Sequence, residues 1–408
     1  MSSEHRIEPS LDTQSTEEDL HIERFVFTGS GGEYFGIWIV NILLSILTLG
    51  IYSAWAKVRN NQYFYGNTVL DDSSFEYTAT PMQILRGRII ALVLFVLYFF
   101  AESYIPSLWA ILAFLLFLAS PWIIMKSLAF NAHHSEYRGI KFQFHQSFWD
   151  AAKTFILIPI AAFLPAIILS IVLGFSMETG LGIDAAISNG GATSILSSAL
   201  PIIVFLSFLA AYPFIIYISN RYIICNHAFG GQDFRFRVTS PKPYFWIFLK
   251  ATAVVLIAMA FFYGIIMLLT PNLKDFAASN SQGLSAGFSL GKLVIYLIVG
   301  VAYAFLIAYV KANTYNLAYQ NIAIGKHKLR AKVKTADLAI LYITNTLGIA
   351  CTLGIFIPWA KVQTAKFFAA NTALQVSGDL ASFVATQTDY QNALGEEIGE
   401  MFDIDIAL

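Results

Sequence analysis

The stretch Trp55-Ala56-Lys57-Val58, which ends a longer run that begins Thr48-Leu49-Gly50-Ile51, occurs twice in the chain. The second copy contains Thr352-Leu353-Gly354-Ile355 followed by Trp359-Ala360-Lys361-Val362. When the two copies are aligned over 21 residues from their first threonine, eleven positions are identical, which is more than shared hydrophobicity would give. The sequence therefore predicts that one structural unit is used twice.

Three looser copies follow from the spacing within this unit. An Asn lies twelve residues after each Trp, at Asn67 and Asn371. The same spacing leads from Trp122 to His134, from Phe214 to Asn226 and from Tyr309 to Asn321. Five copies predict a protein built from repeats, in which an apolar helix ends at Asn or His and leads into a short strand. We expect these Asn residues to cap helix ends, because Asn tolerates the left-handed conformation there.

The composition predicts a membrane protein with several spans. Apolar residues make up 57% of the 408 residues, charged residues 12%, and the mean hydropathy is +0.63. A soluble domain carries roughly 25% charged residues. The chain therefore has too little polar surface for a water-soluble globule.

Eight apolar segments are visible, and six are long enough to cross the membrane. These six run from Pro81 to about 101 and over 106–125, 154–176, 195–219, 246–270 and 291–311. The end segments 35–56 and 338–358 contain polar residues, and each either spans or enters the membrane and returns. The predicted fold is an all-α polytopic membrane protein made of repeated helical hairpins. Six spans plus two re-entrant end segments is the preferred alternative, and eight spans is the other.

The distribution of basic residues predicts the orientation. Four loops, 53–88, 126–153, 219–250 and 311–337, together carry nineteen Lys and Arg, whereas the three intervening loops carry Lys274 alone. Loops rich in Lys and Arg remain in the cytoplasm. We therefore expect the basic loops and both termini to be cytoplasmic.

Short β-hairpins are predicted within these loops. Phe142-Gln143-Phe144 follows Arg138-Gly139, Phe234 to Val238 follows Gly230-Gly231, and Lys328 to Lys334 follows Gly325-Lys326. Alternating residues bounded by Gly are typical of hairpins. Because a lone hairpin is marginal in water, we expect a small cytoplasmic β layer beneath the helices.

Three regions are expected along the chain. Residues 1–24 are polar and acidic and predict a disordered lead-in, after which Phe25-Val26-Phe27 begins the ordered part as an edge strand. Residues 25–388 form the repeat-built transmembrane domain. Residues 389–408 form an acidic tail, which is either disordered or an amphipathic helix docked on the basic loops.

No motif predicts catalysis or a metal site. None of the seven histidines forms a His-Glu-x-x-His pair, and no phosphate-binding loop or nucleophile elbow is present. The apolar segments are nearly free of acidic residues, which membrane enzymes and proton-coupled transporters commonly carry. We expect no enzyme, no cofactor, no metal and no nucleic-acid partner. Gly29-Ser30-Gly31-Gly32 is expected to be a flexible hinge.

The candidate binding residues are basic and aromatic side chains near the cytoplasmic ends of helices. They are Trp55, Lys57, Arg59, Lys126, Arg221, Lys311, Trp359 and Lys361. Such a collar of cations would meet anionic lipid head groups, each contributing about 1 kcal/mol near a charged surface. The simpler interpretation is that they are ordinary cytoplasmic anchors and interfacial aromatic residues.

The paired Trp-Ala-Lys-Val motifs and the ending from Ala393-Leu394-Gly395 through Asp405 resemble the YjgN family of bacterial inner-membrane proteins. The resemblance covers nearly the whole chain after residue 24 and implies an inner-membrane location. It implies no activity, because the function of that family is unknown. It also suggests a membrane metallopeptidase as an envelope partner.

Two functions are carried forward. In the first, the protein binds or moves a lipid-like or amphipathic molecule through a cavity between the repeated hairpins. In the second, it is an assembly or quality-control partner of another envelope protein.

Overall fold

Eleven strands form one antiparallel sheet in the computed structural model, which describes residues 20–179, 192–269 and 290–392. The strands are β1 Leu20–Arg24, β2 Val26–Phe27, β3 Thr68–Leu70, β4 Ser73–Tyr77, β5 Ser135–Tyr137, β6 Ile140–Phe144, β7 His227–Phe229, β8 Gln232–Phe236, β9 Ile322–Ile324, β10 His327–Ala331 and β11 Thr372–Ser377. Their order in the sheet is β1-β11-β10-β9-β8-β7-β6-β5-β4-β3-β2.

The two ends of this sheet are halves of one strand, so the sheet closes on itself. β1 pairs with β11, with Leu20 opposite Ser377, and β2 pairs with β3, with Val26 opposite Val69. Phe25 joins the halves, and its N–H donates to the carbonyl of Thr372 at 3.3 Å. A closed ring leaves few backbone groups unpaired at sheet edges. The sheet is therefore barrel-like.

The hairpins predicted after Arg138-Gly139, Gly230-Gly231 and Gly325-Lys326 are confirmed as β5–β6, β7–β8 and β9–β10. Gly139, Gly230 and Gly325 have φ of +80°, +57° and +56°, a backbone region that glycine adopts without strain. The all-α description is not confirmed, because the hairpins join into one continuous sheet. Sequence patterns show each hairpin but not the pairing between hairpins.

The described residues also contain twelve helices. They are α1 Gly31–Leu47, α2 Ser53–Gly66, α3 Pro81–Tyr104, α4 Pro106–His133, α5 Phe148–Ala152, α6 Ile158–Thr179, α7 Ala192–Cys225, α8 Lys242–Leu269, α9 Leu290–Tyr319, α10 Thr335–Cys351, α11 Ile357–Ala370 and α12 over 380–392. A π-helical turn, Lys153–Leu157, joins α5 to α6.

The same connection recurs five times around the ring. The helices α2, α4, α7, α9 and α11 each end directly before a first strand, and we call them the entering helices. The helices α3, α5, α8, α10 and α1 each begin shortly after a second strand. In the fifth unit the first strand is β11, which follows α11. The second strand is β1–β2, which precedes α1 and comes from the other end of the chain.

Six helical segments are long and apolar enough to cross a membrane, as the sequence predicts. α3, with 24 residues, is about 36 Å long at 1.5 Å per residue. Large apolar side chains on these helices are exposed, including Phe95 at 64% and Ile257 at 68%. Such a surface suits hydrocarbon rather than water. The chain is a polytopic membrane protein.

The two end segments form helix pairs that return to the sheet. α1 leaves the sheet and α2 enters it again, and α10 and α11 repeat this path. Both ends of each helix pair therefore lie at the sheet. This path favours the re-entrant alternative over eight spans.

The repeated Thr-Leu-Gly-Ile motif forms the turn within each returning pair. The hydroxyl of Thr48 donates to the carbonyl of Leu44 at 2.7 Å and accepts from the N–H of Tyr52 at 2.9 Å. Thr352 repeats both bonds, at 2.7 and 2.9 Å. Leu49 and Leu353 have φ of 49° and 50°, and their side chains are 95% and 94% exposed. Both turns therefore present an apolar tip at the end far from the sheet.

Apolar side chains from several hairpins fill the interior of the ring. Leu70, Tyr137, Ile140, Phe229, Leu374 and Val376 form this core, with Leu380 and Val384 of α12. α12 thus lies across the mouth of the ring opposite the membrane helices. The ring of Phe383 on α12 lies 4.5 Å from that of His327. Burial, with smaller contributions from His21 and Lys326, lowers the pKa of His327 below its ordinary value.

Two expectations about the termini are wrong. Residues 20–24, placed in the disordered lead-in, form β1, and Phe25-Val26-Phe27 is part of the closing strand rather than an edge strand. Acidic residues predict a disordered segment here, but pairing with β11 makes residues 20–24 a strand. The boundary at 389 falls within α12. Residues 1–19 and 393–408 lie outside the described residues.

The closed sheet predicts that all its strands lie on one side of the membrane. In a chain with Cys225→Ser and Cys351→Ser, we expect Glu76→Cys and Arg330→Cys to react with an impermeant maleimide only after spheroplasts are lysed. Ser103→Cys, at the far end of α3, should react in intact spheroplasts. Labelling of Glu76→Cys and Arg330→Cys from different sides would contradict the sheet.

Candidate functional site

The cations of the expected collar lie on the entering helices, one on each of the five. They are Lys57 on α2, Lys126 on α4, Arg221 on α7, Lys311 on α9 and Lys361 on α11, and Arg59 is a second cation on α2. All six residues are exposed. The structure therefore places one cation on each entering helix and does not bring the six into a common pocket.

The collar side chains have uncharged partners among the described residues. Lys126 donates to Oε1 of Gln146 at 2.6 Å, and Arg59 and Arg221 donate to Tyr52 and Tyr217 at 3.1 and 3.2 Å. Nζ of Lys361 lies 3.5 Å from the hydroxyl of Tyr34. The positive charges are therefore not neutralised by carboxylates within the described part of the chain.

The two Trp residues of the repeated motif are half-buried and pack on other aromatic rings. The ring of Trp55 stacks on Tyr52 at 6.1 Å. Trp359 lies 5.1 Å from Phe35 of α1 and stacks on Phe356 at 6.1 Å. Trp359 thus joins the two returning pairs, whereas Trp55 also packs against a cluster that includes Ile84 of α3.

The Asn and His residues that end the entering helices form a ring of backbone bonds. The carbonyl groups of Asn67, His134, Asn226, Asn321 and Asn371 accept from the N–H groups of Thr28, Thr78, His145, Arg237 and Lys332 at 2.8–2.9 Å. Each bond joins the end of one entering helix to the segment that leaves the neighbouring hairpin. The five bonds fix the order of the helices around the sheet.

The expected left-handed conformation of these caps is wrong. Asn67 and Asn371 are C-cap residues with φ of −97° and −99°. The side-chain amide of each of the four Asn donates to the carbonyl four residues earlier at 2.7–2.8 Å. Because the side chain satisfies that carbonyl directly, a positive φ is not needed.

The glycine-rich stretch before α1 is not a hinge. Ser30 caps α1 by accepting from the N–H of Glu33 at 3.2 Å, and the N–H of Ser30 lies 2.8 Å from the hydroxyl of Tyr63. A Cβ on Gly31 would lie 2.2 Å from Cδ1 of Trp359. The glycine is therefore needed for close approach between α1 and α11.

Two adjoining cavities lie where the returning pairs meet the sheet, and we call them together the chamber. The first has a volume of about 400 Å³, and its walls include Phe25, Phe64, Phe75, Tyr315, Tyr319 and Phe368. The second, of about 590 Å³, lies between α2, α10 and α11. Phe64, Ala365 and Phe368 line both cavities. The chamber is thus apolar and placed at the membrane-side mouth of the ring.

Polar groups line the second cavity on one side. Asn345, Thr364 and Lys361 belong to its walls. Asn345 is 6% exposed, and its amide lies 3.4 Å from both the carbonyl of Ala360 and the hydroxyl of Thr364. Lys361 brings a positive charge to the edge of an apolar space. This arrangement suits a molecule with an apolar body and an anionic group.

Potential metal ligands are dispersed in residues 20–179, 192–269 and 290–392. No three His, Cys, Asp or Glu side chains in these ranges lie together as ligands. His133 and His134 are adjacent, but Nδ1 of His134 lies 2.8 Å from the carbonyl of Phe130. His134 acts as a helix cap.

Comparison with known proteins places the chain in a family. The model of a family described as bacterial protein of unknown function, DUF898, matches residues 22–401. The chain belongs to this family. Inner membrane protein YjgN of Salmonella typhimurium strain LT2 is 27% identical over 391 residues, covering 91% of this chain and 93% of the relative. Inner membrane protein YjgN of Escherichia coli K12 is 24% identical over 381 residues, covering 89% and 91%.

No solved structure matches this DUF898 chain. The expected resemblance and location are confirmed, and the protein is an integral protein of the bacterial inner membrane. The family description assigns no activity.

The sequence pattern points to exposed cations and gives little sign of the chamber. Only Lys361 belongs both to the expected collar and to the chamber walls. One signal was available, because Phe64 and Phe368 occupy one of the identical positions of the two motifs. Tyr315 and Tyr319 on α9 carry no comparable signal.

The contact between Gly31 and Trp359 predicts a position-specific effect on stability. Gly31→Ala should lower the free energy of unfolding by about 1–3 kcal/mol, because the added methyl overlaps the indole ring. Gly32→Ala is the matched control, since a Cβ there meets nothing within 4 Å. It should be neutral or stabilising by up to about 1 kcal/mol. Thermal unfolding of the detergent-purified variants distinguishes the two, and equal effects would contradict the packing.

Proposed function

We propose that this DUF898 protein binds a lipid-like or amphipathic molecule in the chamber, as a binding or transport protein of the inner membrane. The observation that carries this proposal is the pair of adjoining cavities, of about 400 and 590 Å³, with apolar walls and Lys361 at one edge. Ligand pockets commonly have volumes of about 300–1,000 Å³. The chamber therefore has the size and polarity of a ligand site.

The position of the chamber supports this proposal. It lies between the two returning pairs, whose turn and Trp motifs are the most similar stretches of the chain. We interpret these pairs and the other three units as divergent copies of one repeat. In transporters built from repeats, the substrate site lies at the interface between copies. If the two returning pairs are copies of one repeat, the chamber lies at the interface between them.

The outward cations have a separate role in the proposal. Lys57, Lys126, Arg221 and Lys311 face outward at the level of the entering helices, where they would hold anionic head groups of the surrounding lipid. Lys361 alone would reach the molecule in the chamber. Trp55 would help to hold the surrounding lipid, and Trp359 would help to bind the molecule in the chamber.

An alternative function is assembly with another envelope protein, including a membrane metallopeptidase. One observation favours it. The side chains of Leu20, Ile22 and Val26 on the closing strand are 63%, 63% and 53% exposed. This row of apolar side chains on a sheet suits a protein partner. In this alternative, a variant that has lost the chamber ligand would still assemble with its protein partner. The two functions can therefore be separated by experiment.

Filling the chamber is expected to expel its ligand. Ala369 lines the first cavity, whereas the adjacent Ala370 is exposed and lines neither cavity. Ala369→Leu should reduce several-fold the phospholipid that co-purifies in mild detergent, measured by native mass spectrometry. Ala370→Leu adds the same volume outside the chamber and should change nothing. Equal lipid retention by the two variants would refute the proposal.

Removing charge tests which cation holds the anionic group. Lys361→Gln should reduce retention of phosphatidylglycerol relative to phosphatidylcholine, because it removes the charge at the chamber edge. Lys57→Gln, at the same position of the other motif but outside the chamber walls, should have the smaller effect. If both variants retain phosphatidylglycerol like the unmodified protein, the anionic-ligand part of the proposal fails.

A further inference from the structure

A row of cations runs along β10 and the segment that follows it. Lys328, Arg330, Lys332 and Lys334 alternate with Leu329, Ala331 and Val333, which pack inward. Side chains two apart on an extended strand lie on one face at a spacing of about 7 Å. The four cations therefore form a stripe on the outer wall of the ring, and we call it the basic stripe.

A second row of cations lies beside the basic stripe. Ala323 of β9 is opposite Arg235 of β8 on one side and Lys328 of β10 on the other. Arg235 and Arg237 are exposed. Two strand spacings of about 4.8 Å separate the rows. The side chain of Ala323 between the two rows is small and only 1% exposed.

The charge of this wall is not balanced by the described residues. None of the six cations has a carboxylate oxygen within 4.0 Å in these residues. The hydrogen bond from Nε of Arg330 to Gln375, at 2.8 Å, involves a neutral group. On β8, Asp233 lies two residues before Arg235, and its Oδ1 is 2.8 Å from Nε2 of His145. On more distant strands Glu76 is opposite Glu136. Like charges in a row repel, so the wall favours an anionic binding partner.

α12 ends near the β7–β8 turn, beside the start of the strand that carries Arg235. Oε1 of Gln387 accepts from the N–H of Gly231 at 2.8 Å, and Gln387 is 7% exposed. A Cβ on Gly231 would lie 2.7 Å from the ring of Tyr390. α12 is thus fixed at the β7–β8 turn, from which β8 begins. The sixteen residues that follow contain Glu396, Glu397, Glu400, Asp403 and Asp405 and no basic residue.

We propose that residues 393–408 bind along the basic stripe and the Arg235–Arg237 row as an acidic segment of the same chain. The opposite charges and the place where α12 ends support this occupant. An extended chain advances about 3.3 Å per residue, so Glu396 to Asp405 covers the length of the stripe. This interaction does not depend on the chamber ligand.

Zero-length carbodiimide cross-linking of the full chain in detergent tests the proposal. The reagent joins carboxylates to amines in contact. We expect cross-links from Lys328, Lys332 or Lys334 to the acidic residues of 393–408, identified by peptide mass spectrometry. They should weaken at about 1 M salt, where the screening length is about 3 Å. Lys153 and Asp150, 3.3 Å apart, provide an internal positive control.

A charge-matched pair of variants shows whether position or net charge matters. Lys328→Gln with Lys332→Gln and Lys334→Gln should leave the C-terminal segment several-fold more accessible to a protease that cleaves after Glu. Lys141→Gln with Lys153→Gln and Lys242→Gln removes the same charge elsewhere and should leave accessibility unchanged. Equal accessibility in the two triple variants would overturn the proposal.

Other occupants give distinguishable results. Cross-links from the stripe to Glu17, Glu18 or Asp19, with none to 393–408, would show that the N-terminal segment binds there and would overturn the proposal. Cross-links that form in phosphatidylcholine nanodiscs but disappear when phosphatidylglycerol is included would assign the stripe to the membrane surface. Persistence in both nanodiscs supports the proposal. A positive Lys153–Asp150 control without any cross-link to 393–408 refutes it.

Discussion

Closure of the sheet is the constraint on which the rest of the structure depends. An open sheet would expose unpaired backbone groups at both edges. Here the strand from Leu20 to Phe27 pairs with β11 by its first half and with β3 by its second half. The two ends of the sequence therefore meet, and the helices that enter and leave the sheet are held in a ring.

Closure also creates the chamber. It makes neighbours of the returning pairs α1–α2 and α10–α11, which lie at opposite ends of the sequence. Gly31 then packs on Trp359, and Nζ of Lys361 lies 5.8 Å from the ring centroid of Tyr34. Cavities remain where these pairs meet the mouth of the ring. The candidate site is thus a consequence of how the ring closes rather than of one motif.

The distribution of charge follows from the same geometry. Each of the five entering helices carries an exposed cation, and the cation of the fifth, Lys361, also lines the chamber. The cations on β10 point outward from the sheet instead, since alternate residues of a strand face opposite sides. The basic residues of the sequence therefore form two surfaces. The cations on the entering helices suit lipid head groups, and the cations on the outer wall of the sheet suit an acidic segment.

The sequence by itself determined the six apolar helices, the glycine turns of three hairpins and the equivalence of the two Thr-Leu-Gly-Ile turns. These features depend on local hydrophobicity, backbone freedom and side-chain bonds within a few residues. Only the tertiary structure decided that Leu20–Arg24 is a strand, that the sheet closes and that Phe64, Tyr315 and Phe368 share a cavity. Each of these depends on contacts between residues far apart in sequence, which local patterns do not encode. The Asn caps belong partly to each group. The spacing of the sequence predicts their positions, whereas their conformation depends on the side-chain hydrogen bond to the helix carbonyl.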